Sequence, residues 1–330
     1  MHAVILVGGF GTRLRPLTND IPKPMLPVVH RPMIVRLVDR LAPAGVTDVV
    51  LALGFRPEPF AEAFPADRHG DIRVHYAVEP EPLDTGGAIA FAAREAGVDA
   101  TFLVANGDVL TDLDAARLVD HHRRHGGDAT LHLTPVDDPS AFGVVELDGD
   151  HRVRRFLEKP APGETDSNLI NAGTYVFEPA VLDLIEPGRP LSIERDTFPR
   201  LVDRASLVGL ATSDYWIDAG RPELYLRAGL DLVNGVRGSA LEAIAADAVV
   251  DHEALVIESV VESAAIVAPA AAVTSSILLP GARVDSGATV ESSVVAGHVG
   301  AAAVVRHSVI GSGHAVAPGA TVTGERLPPP

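Results

Sequence analysis

A small apolar residue recurs every six positions late in the chain, at Val260, Ile266, Ala272, Leu278, Val284 and Val290. The register slips by two and resumes at Val304, Ile310, Val316 and Val322. Period six is the pattern of a parallel β-helix, in which a branched residue is buried at each corner and small residues let the chain bend. Roughly 80 such residues make about four coils, enough for stacked repeats to stabilise one another. Composition changes where the pattern begins: beyond Arg237 no aromatic residue occurs, and Ala, Val, Gly and Ser dominate. The chain is therefore expected to divide into 1–237 and 238–330. An exposed coil end is an unpaired edge that self-association would cover, so packing in a homo-oligomer is the expected role. His298, His307 and His314 lie here without a matched acid or acceptor motif, which argues against acyl transfer. The proline-rich end, Leu327 to Pro330, is expected to be unordered.

The first part opens on five apolar residues, Ala3 to Val7, a buried strand that includes Leu6. Gly8, Gly9 and Gly11 follow, then Thr12 and Arg13. A glycine-rich turn after a strand brings backbone N–H groups close to a ligand and suits phosphates and nucleobases. Two common fingerprints are excluded: no third glycine completes G-x-G-x-x-G, and no lysine follows Gly11 as a Walker loop requires. Pro22, Pro24 and Pro27 are expected to hold the backbone extended and present Lys23 at a fixed height. Met33 to Leu41 then reads as an amphipathic helix, Asp48 to Leu53 as a strand, 57–64 as a short helix and 72–77 as a strand. That alternation indicates an α/β domain with a mostly parallel sheet.

The formal charge of −17 disfavours nucleic acid or an acidic membrane surface as partner. No run approaches a membrane span, no cysteine is present and no secretion signal is visible, so cytoplasm is the expected compartment. An acidic protein that binds polyanions must concentrate its positive charge. Of 27 basic residues only Lys23 and Lys159 are lysines, within P-K-P and F-L-E-K-P. A compact ammonium is not interchangeable with arginine's planar fork at a tight phosphate site. Asp108 ends an N-G-D turn after the strand 101–105, at the carboxyl edge where open α/β sheets bind ligands. His121, His122 and His125, with no acids arranged around them, read as a solvated helix face.

The string G-G-F-G-T-R-L-R-P followed by P-K-P-M-L-P resembles the signature of the sugar-nucleotide pyrophosphorylases, or nucleotidyltransferases. Six motifs in order carry the resemblance over nearly the whole chain. It implies a Rossmann-like domain with a mixed, mostly parallel sheet, followed by a left-handed parallel β-helix. It also implies that Leu6, Gly8, Gly9, Gly11 and Thr12 contact the nucleotide, with Arg13 and Lys23 on its phosphates. Residues 79–88, E-P-E-P-L-D-T-G-G-A, resemble the family's P-L-G-T-A-G base loop, with departures at Asp84 and Gly86. Glu79, Asp84, Thr85 and Gly86 are the candidates there. Guanine offers two adjacent donors that suit one carboxylate, so Glu79, Glu81 or Asp84 would favour GTP. As mere solvating acids of a proline-rich loop they would carry no preference.

Asp108 resembles the family's first magnesium ligand, and Asp218, within W-I-D-A-G, the second. A-F-G-V-V at 141–145 resembles the Y/F-G-V-V segment, and 156–160 the F-x-E-K-P motif. Gly143, Glu158, Asn171 and Tyr175 are thereby sugar-pocket candidates, with Lys159 on the sugar phosphate. In an extended segment Glu158 and Lys159 would point to opposite faces, so an irregular turn is expected between them. Ser192 reads as an N-cap, and S-I-E-R-D-T-F-P after Leu191 is most similar to mannose-1-phosphate guanylyltransferases within the family. The implied reaction joins a sugar 1-phosphate to the nucleotidyl group of a nucleoside triphosphate and releases pyrophosphate, with Mg²⁺ as cofactor. GTP and mannose 1-phosphate are the expected substrates. Another hexose or cyclitol 1-phosphate with GTP, UTP, dTTP or ATP is the alternative. A non-catalytic regulatory subunit is a third reading, against which stand intact Arg13, Lys23, Asp108, Lys159 and Asp218.

Overall fold

The computed structural model describes residues 1–9, 11–54 and 57–329. Phe10 of the glycine turn and Pro330 of the tail lie outside the described residues. The chain forms two compact units, 1–9 with 34–216 and 10–33 with 217–330. In chain order the elements before the coils are β1 (His2–Leu6), α1 (Met33–Leu41), β2 (Asp48–Leu53), α2 (Glu58–Ala63), β3 (Arg68–His69) and β4 (Ile72–Val78). Then come α3 (Asp84–Glu95), β5 (Phe102–Asn106), β6 (Val109–Thr111), α4 (Ala115–His125), β7 (Ala129–Pro135), β8 (Gly143–Leu147) and β9 (Val153–Glu158). The last are β10 (Leu169–Phe177), α5 (Phe198–Asp203), β11 (Leu207–Ala211), β12 (Trp216–Asp218) and α6 (Pro222–Val233).

The first unit is built on one mixed sheet in the order β11-β7-β10-β5-β1-β2-β4-β3, with β8 on β10 and β9 on β8. The β1, β2, β4 and β5 strands run parallel, and β10 enters antiparallel between β5 and β7. Every residue of β2 is buried, as a parallel strand covered on both faces requires. Tyr175 and Phe177 stack at 5.5 Å in the core, and Phe198 meets Tyr175 edge-on at 5.3 Å. Leu6 pairs in register with Asn106, so the turns after β1 and β5 leave the sheet at the same edge.

Helix α4 corrects one expectation. Asp114 caps it, accepting from the N–H groups of Ala116 and Arg117. His121 and His122 are buried, because they share a helical face with Leu118. Nδ1 of His122 is 2.8 Å from Thr130 Oγ1, and its Nε2 is 3.0 Å from Glu178. His121 stacks on His125 at 4.2 Å and meets His151 edge-on at 5.0 Å.

In the second unit the period-six region is a parallel β-helix with three walls of five strands each. One wall stacks Val249, Ile266, Arg283, His298 and Ala315. The second stacks Leu255, Ala272, Thr289, Val304 and Thr321. The third stacks Val260, Ile277, Val294, Val309 and Arg326. There are thus five coils where about four were expected.

Equivalent positions on successive coils are 17 residues apart, with one spacing of 15. One corner of each coil is a residue short, so the inward set is Val261, Val267 and Val273 before it rejoins Leu278, Val284 and Val290. Ile266, expected inside, is 38% exposed. The short corner is held by a ladder of Ser259, Ser276, Ser293 and Ser308. Each hydroxyl donates to the carbonyl two residues earlier. Each also accepts the N–H of residue 276, 293, 308 or 325 on the next coil. The slip by two is the 15-residue coil, where a Cβ on Gly297 would lie 2.2 Å from the His314 carbonyl oxygen. Leu327, expected unordered, pairs with Ile310 and accepts from Gly311 N–H at 2.7 Å.

Candidate active site

In the second unit, Gly11 (φ +57) opens a 3₁₀ turn over Thr12–Leu14, and the Thr18 hydroxyl donates to its carbonyl at 2.8 Å. Pro22 is extended, but Lys23 begins another 3₁₀ turn, Lys23–Met25. Proline's fixed φ serves such a turn as readily as an extended chain. Lys23 is presented from a tight turn, its side chain 7% exposed, with Nζ 3.2 Å from Asp218 Oδ1. Gly220 shows how these groups converge. A Cβ there would lie 2.8 Å from Asp218 Oδ1, 3.0 Å from Arg13 Nη2 and 3.0 Å from Lys23 Nζ. Two cations and one carboxylate meet over a position kept free of side chain, an arrangement suited to phosphates.

In the first unit, Gly8 passes against Gly54, and its missing Cβ would sit 3.5 Å from Glu79 Oε1. Glu79 is buried, accepts from Leu83 N–H at 2.9 Å through Oε2, and is shifted upward in pKa by burial. Asp84 has a left-handed backbone, and its exposed side chain accepts from Thr85 N–H at 2.7 Å. Of the three acids considered for base recognition, Glu79 is the one placed against the glycine turn. Gly86 has a packing role: a Cβ there would be 2.7 Å from Leu191 Cδ2. Ahead of Asp108, Gly107 donates to the Leu6 carbonyl at 2.9 Å, and a Cβ would collide with that oxygen at 2.8 Å. The N-G-D turn is thereby clamped to the end of β1.

Gly143 is paired with Glu158, and a Cβ on it would reach 3.0 Å from Glu158 Oε2. Lys159 has φ +52, so the strand ends in a kink and its Nζ folds back to 3.7 Å from Glu158 Oε1. The two side chains therefore share one face. Lys159 is 59% exposed, in contrast to Lys23. Burial raises the Glu158 pKa, and the charge of Glu194 adds to the effect. Tyr175 corrects its assignment as a sugar contact: it is fully buried in the aromatic core. Its hydroxyl instead accepts from Asn171 Nδ2 at 2.9 Å, and Asn171 Oδ1 accepts from Gly173 N–H at 3.1 Å. Tyr175 orients Asn171.

Glu194 and Gly220 were not singled out in the sequence. Glu194 Oε2 accepts from both the Thr85 hydroxyl, at 2.7 Å, and the Ser192 hydroxyl, at 2.8 Å. The Thr85 hydroxyl accepts in turn from Ile193 N–H at 2.9 Å. The 79–88 loop and the S-I-E segment are thus one network. The signal for Glu194 was its place inside that segment, and for Gly220 its place two residues after Asp218.

Among the described residues no group of three or more His, Asp or Glu side chains is arranged to hold a metal ion. Mg²⁺ asks for less, since it takes one or two carboxylates and completes its shell with water and substrate phosphate. Asp108 and Asp218 are hard oxygen donors of that kind, and Asp218 already has a cation, the Lys23 ammonium, at 3.2 Å.

A mixed α/β sheet whose first strand ends in a glycine turn, an Arg–Lys–Asp cradle and a hexapeptide β-helix are the parts of a nucleotide-handling transferase. The chain belongs to the nucleotidyl transferase family, whose model matches residues 2–235. Residues 234–326 match a GlmU-like C-terminal hexapeptide model. The chain is 44% identical over 241 residues to mannose-1-phosphate guanylyltransferase of Mycobacterium tuberculosis, covering 72% of this chain and 66% of that one. Mannose-1-phosphate guanyltransferase of Schizosaccharomyces pombe is 42% identical over 249 residues, 74% of this chain and 68% of that one. The aligned region thus spans about two thirds of the length of these relatives. Among solved structures, HddC from Yersinia pseudotuberculosis has a TM-score of 0.59 and 31% identity, covering 69% of this chain and 97% of that one. A second structure of HddC is complexed with GMP-PN. No helix among the described residues is long and apolar enough to cross a membrane.

Proposed function

We propose that the chain transfers the guanylyl group of GTP to mannose 1-phosphate, giving GDP-mannose and pyrophosphate. The observation that carries this reading is the convergence of Arg13, Lys23 and Asp218 on Gly220. The names of the relatives point to guanine and mannose. An oxygen of the sugar phosphate forms a bond to the α-phosphorus of GTP as the bond from that phosphorus to the β-bridging oxygen breaks. The nucleophile is anionic at neutral pH, so positioning and charge neutralisation do most of the work. Arg13 and Lys23 balance the charge that accumulates on the departing pyrophosphate. Lys159 holds the attacking phosphate, while Glu158 and Asn171 receive the sugar hydroxyls. Asp108 and Asp218 are the carboxylates assigned to Mg²⁺, which when bound supplies positive charge to the phosphates.

For the base, Glu79 beside Gly8 is the carboxylate that would accept from guanine N1–H and N2–H. A pyrophosphate-release screen of GTP, UTP, dTTP and ATP against mannose and glucose 1-phosphates, with Mg²⁺, tests the whole reading. GTP with mannose 1-phosphate should give the highest kcat/KM, and greater turnover with another pair overturns the substrate assignment. Glu79→Gln should lower the ratio of GTP to UTP turnover, and an unchanged ratio removes Glu79 from base selection.

A further inference from the structure

The loop that bears Arg13 and Lys23 is held in place by the coil stack, and we propose that Glu262 is a positioning residue for it. The proposal rests on reading Arg13 and Lys23 as the triphosphate site. Glu262 follows the strand Val260–Val261 of the first coil, and its side chain is only 1% exposed. Its two oxygens accept from the backbone N–H of His30 at 3.1 and 2.9 Å, and Oε2 lies 2.8 Å from His30 Nδ1. Nε2 of His30 is 3.0 Å from the Glu242 carbonyl oxygen. A carboxylate and a carbonyl only accept, so both ring contacts are hydrogen bonds when each ring nitrogen carries a hydrogen.

The backbone shows why such a grip is needed. Val29 has φ +52 and His30 φ +66. The left-handed region is unfavourable for a β-branched residue and persists only where the surroundings impose it. A carboxylate this deeply buried, for its part, is costly without partners. Each requirement is met by the other. The same loop is tied to its own unit at further points on either side of Lys23. The Tyr225 hydroxyl donates to the Pro27 carbonyl, and Arg326 Nη1 donates to the Arg13 carbonyl at 2.8 Å. Gly311 packs so closely that a Cβ on it would lie 2.7 Å from Pro16 Cβ. Arg13 and Pro16 are therefore fixed before Lys23, and Pro27 and His30 after it. Among these ties, Glu262 is the buried charge that holds the strained turn.

The test compares wild type, Glu262→Ala and Glu262→Gln in the full chain. It measures GTP affinity by calorimetry, kcat and both KM values, and the thermal midpoint. Glu262→Ala should weaken GTP binding about tenfold or more while the KM for mannose 1-phosphate stays within about twofold, since Lys23 is displaced and Lys159 is not. Glu262→Gln keeps an acceptor for the His30 N–H and should recover most of the affinity. Unchanged GTP affinity in folded Glu262→Ala, or equal weakening for both substrates, overturns the proposal. Should Glu262→Ala fail to fold, His30→Asn takes its place, because asparagine tolerates the left-handed backbone but lacks the ring contacts. It too must weaken GTP selectively, and unchanged affinity counts against Glu262. Binding of inorganic triphosphate keeps the two readings apart. A wild type that turns over no substrate pair refutes the proposed function, while the triphosphate affinity of the Glu262 variants still decides the positioning role.

Discussion

Gly220→Ala adds one methyl group at the point where Asp218, Arg13 and Lys23 meet. The added carbon would stand 2.8, 3.0 and 3.0 Å from their terminal atoms. An ordinary contact needs about 3.5 Å, so each charged end must retreat by roughly 0.5–0.7 Å. The cost to folding is small, because all three atoms end flexible side chains and the glycine backbone does not require a positive φ. Stability should change by no more than about 1 kcal/mol. The reaction has no such tolerance, since a misplacement of about 1 Å can cost roughly 100-fold. We expect kcat/KM for GTP to fall about 10- to 100-fold, or about 1.4–2.7 kcal/mol of transition-state stabilisation. Initial rates of pyrophosphate release, with a thermal melt on the same preparation, measure both quantities. Wild-type kcat/KM in Gly220→Ala would refute the assignment of this cradle to phosphate handling. A large drop in melting temperature would mean that the glycine serves packing instead.

Lys159→Ala should raise the KM for mannose 1-phosphate about tenfold and leave GTP affinity unchanged, since its ammonium is assigned to the sugar phosphate alone; equal loss for both substrates counts against that. Tyr175→Phe keeps the buried ring but removes the acceptor for Asn171, so kcat/KM for the sugar phosphate should fall severalfold with a stability loss of about 1 kcal/mol. A loss of several kcal/mol without a kinetic change would make Tyr175 purely a core residue. Burial holds the imidazoles of His121 and His132 down to about 4, from an ordinary 6.5. The unfolded chain takes up those protons first as pH falls, so their contribution is complete above about 6.5 and is lost progressively toward 4. Urea midpoints should decline over that window, and His132→Leu should flatten the decline; a profile unaffected by the substitution contradicts it.

The sequence made the strands legible where apolar residues run without interruption, as in β1 and β2, because burial on both faces leaves no other reading. The coil region was legible from its period of six, but its true spacing of 17 was not. A corner shortened by one residue is closed by serine hydroxyls, and nothing in apolar periodicity reports a side-chain hydrogen bond. Lys23 and Asp218 are 195 residues apart, and no local pattern could place one on the other. Tyr175 was assigned through the family resemblance of its segment, and a motif says nothing of burial: its ring is stacked on Phe177 in the core. His121 and His122 failed similarly: polar by type, they are buried by the phase of α4.

The serine ladder has a consequence for how such a chain can change in length. Glu262 and Gly311 stand in one column, each following a strand of the third wall, with three rungs between them. At about 4.8 Å per rung, they are roughly 14 Å apart along the column. Nearest-neighbour stacking would let whole coils be gained or lost without disturbing those that remain. Between these two anchors, though, one coil more or less would pull His30 and Pro16 out of step. That interval is a gauge of fixed length.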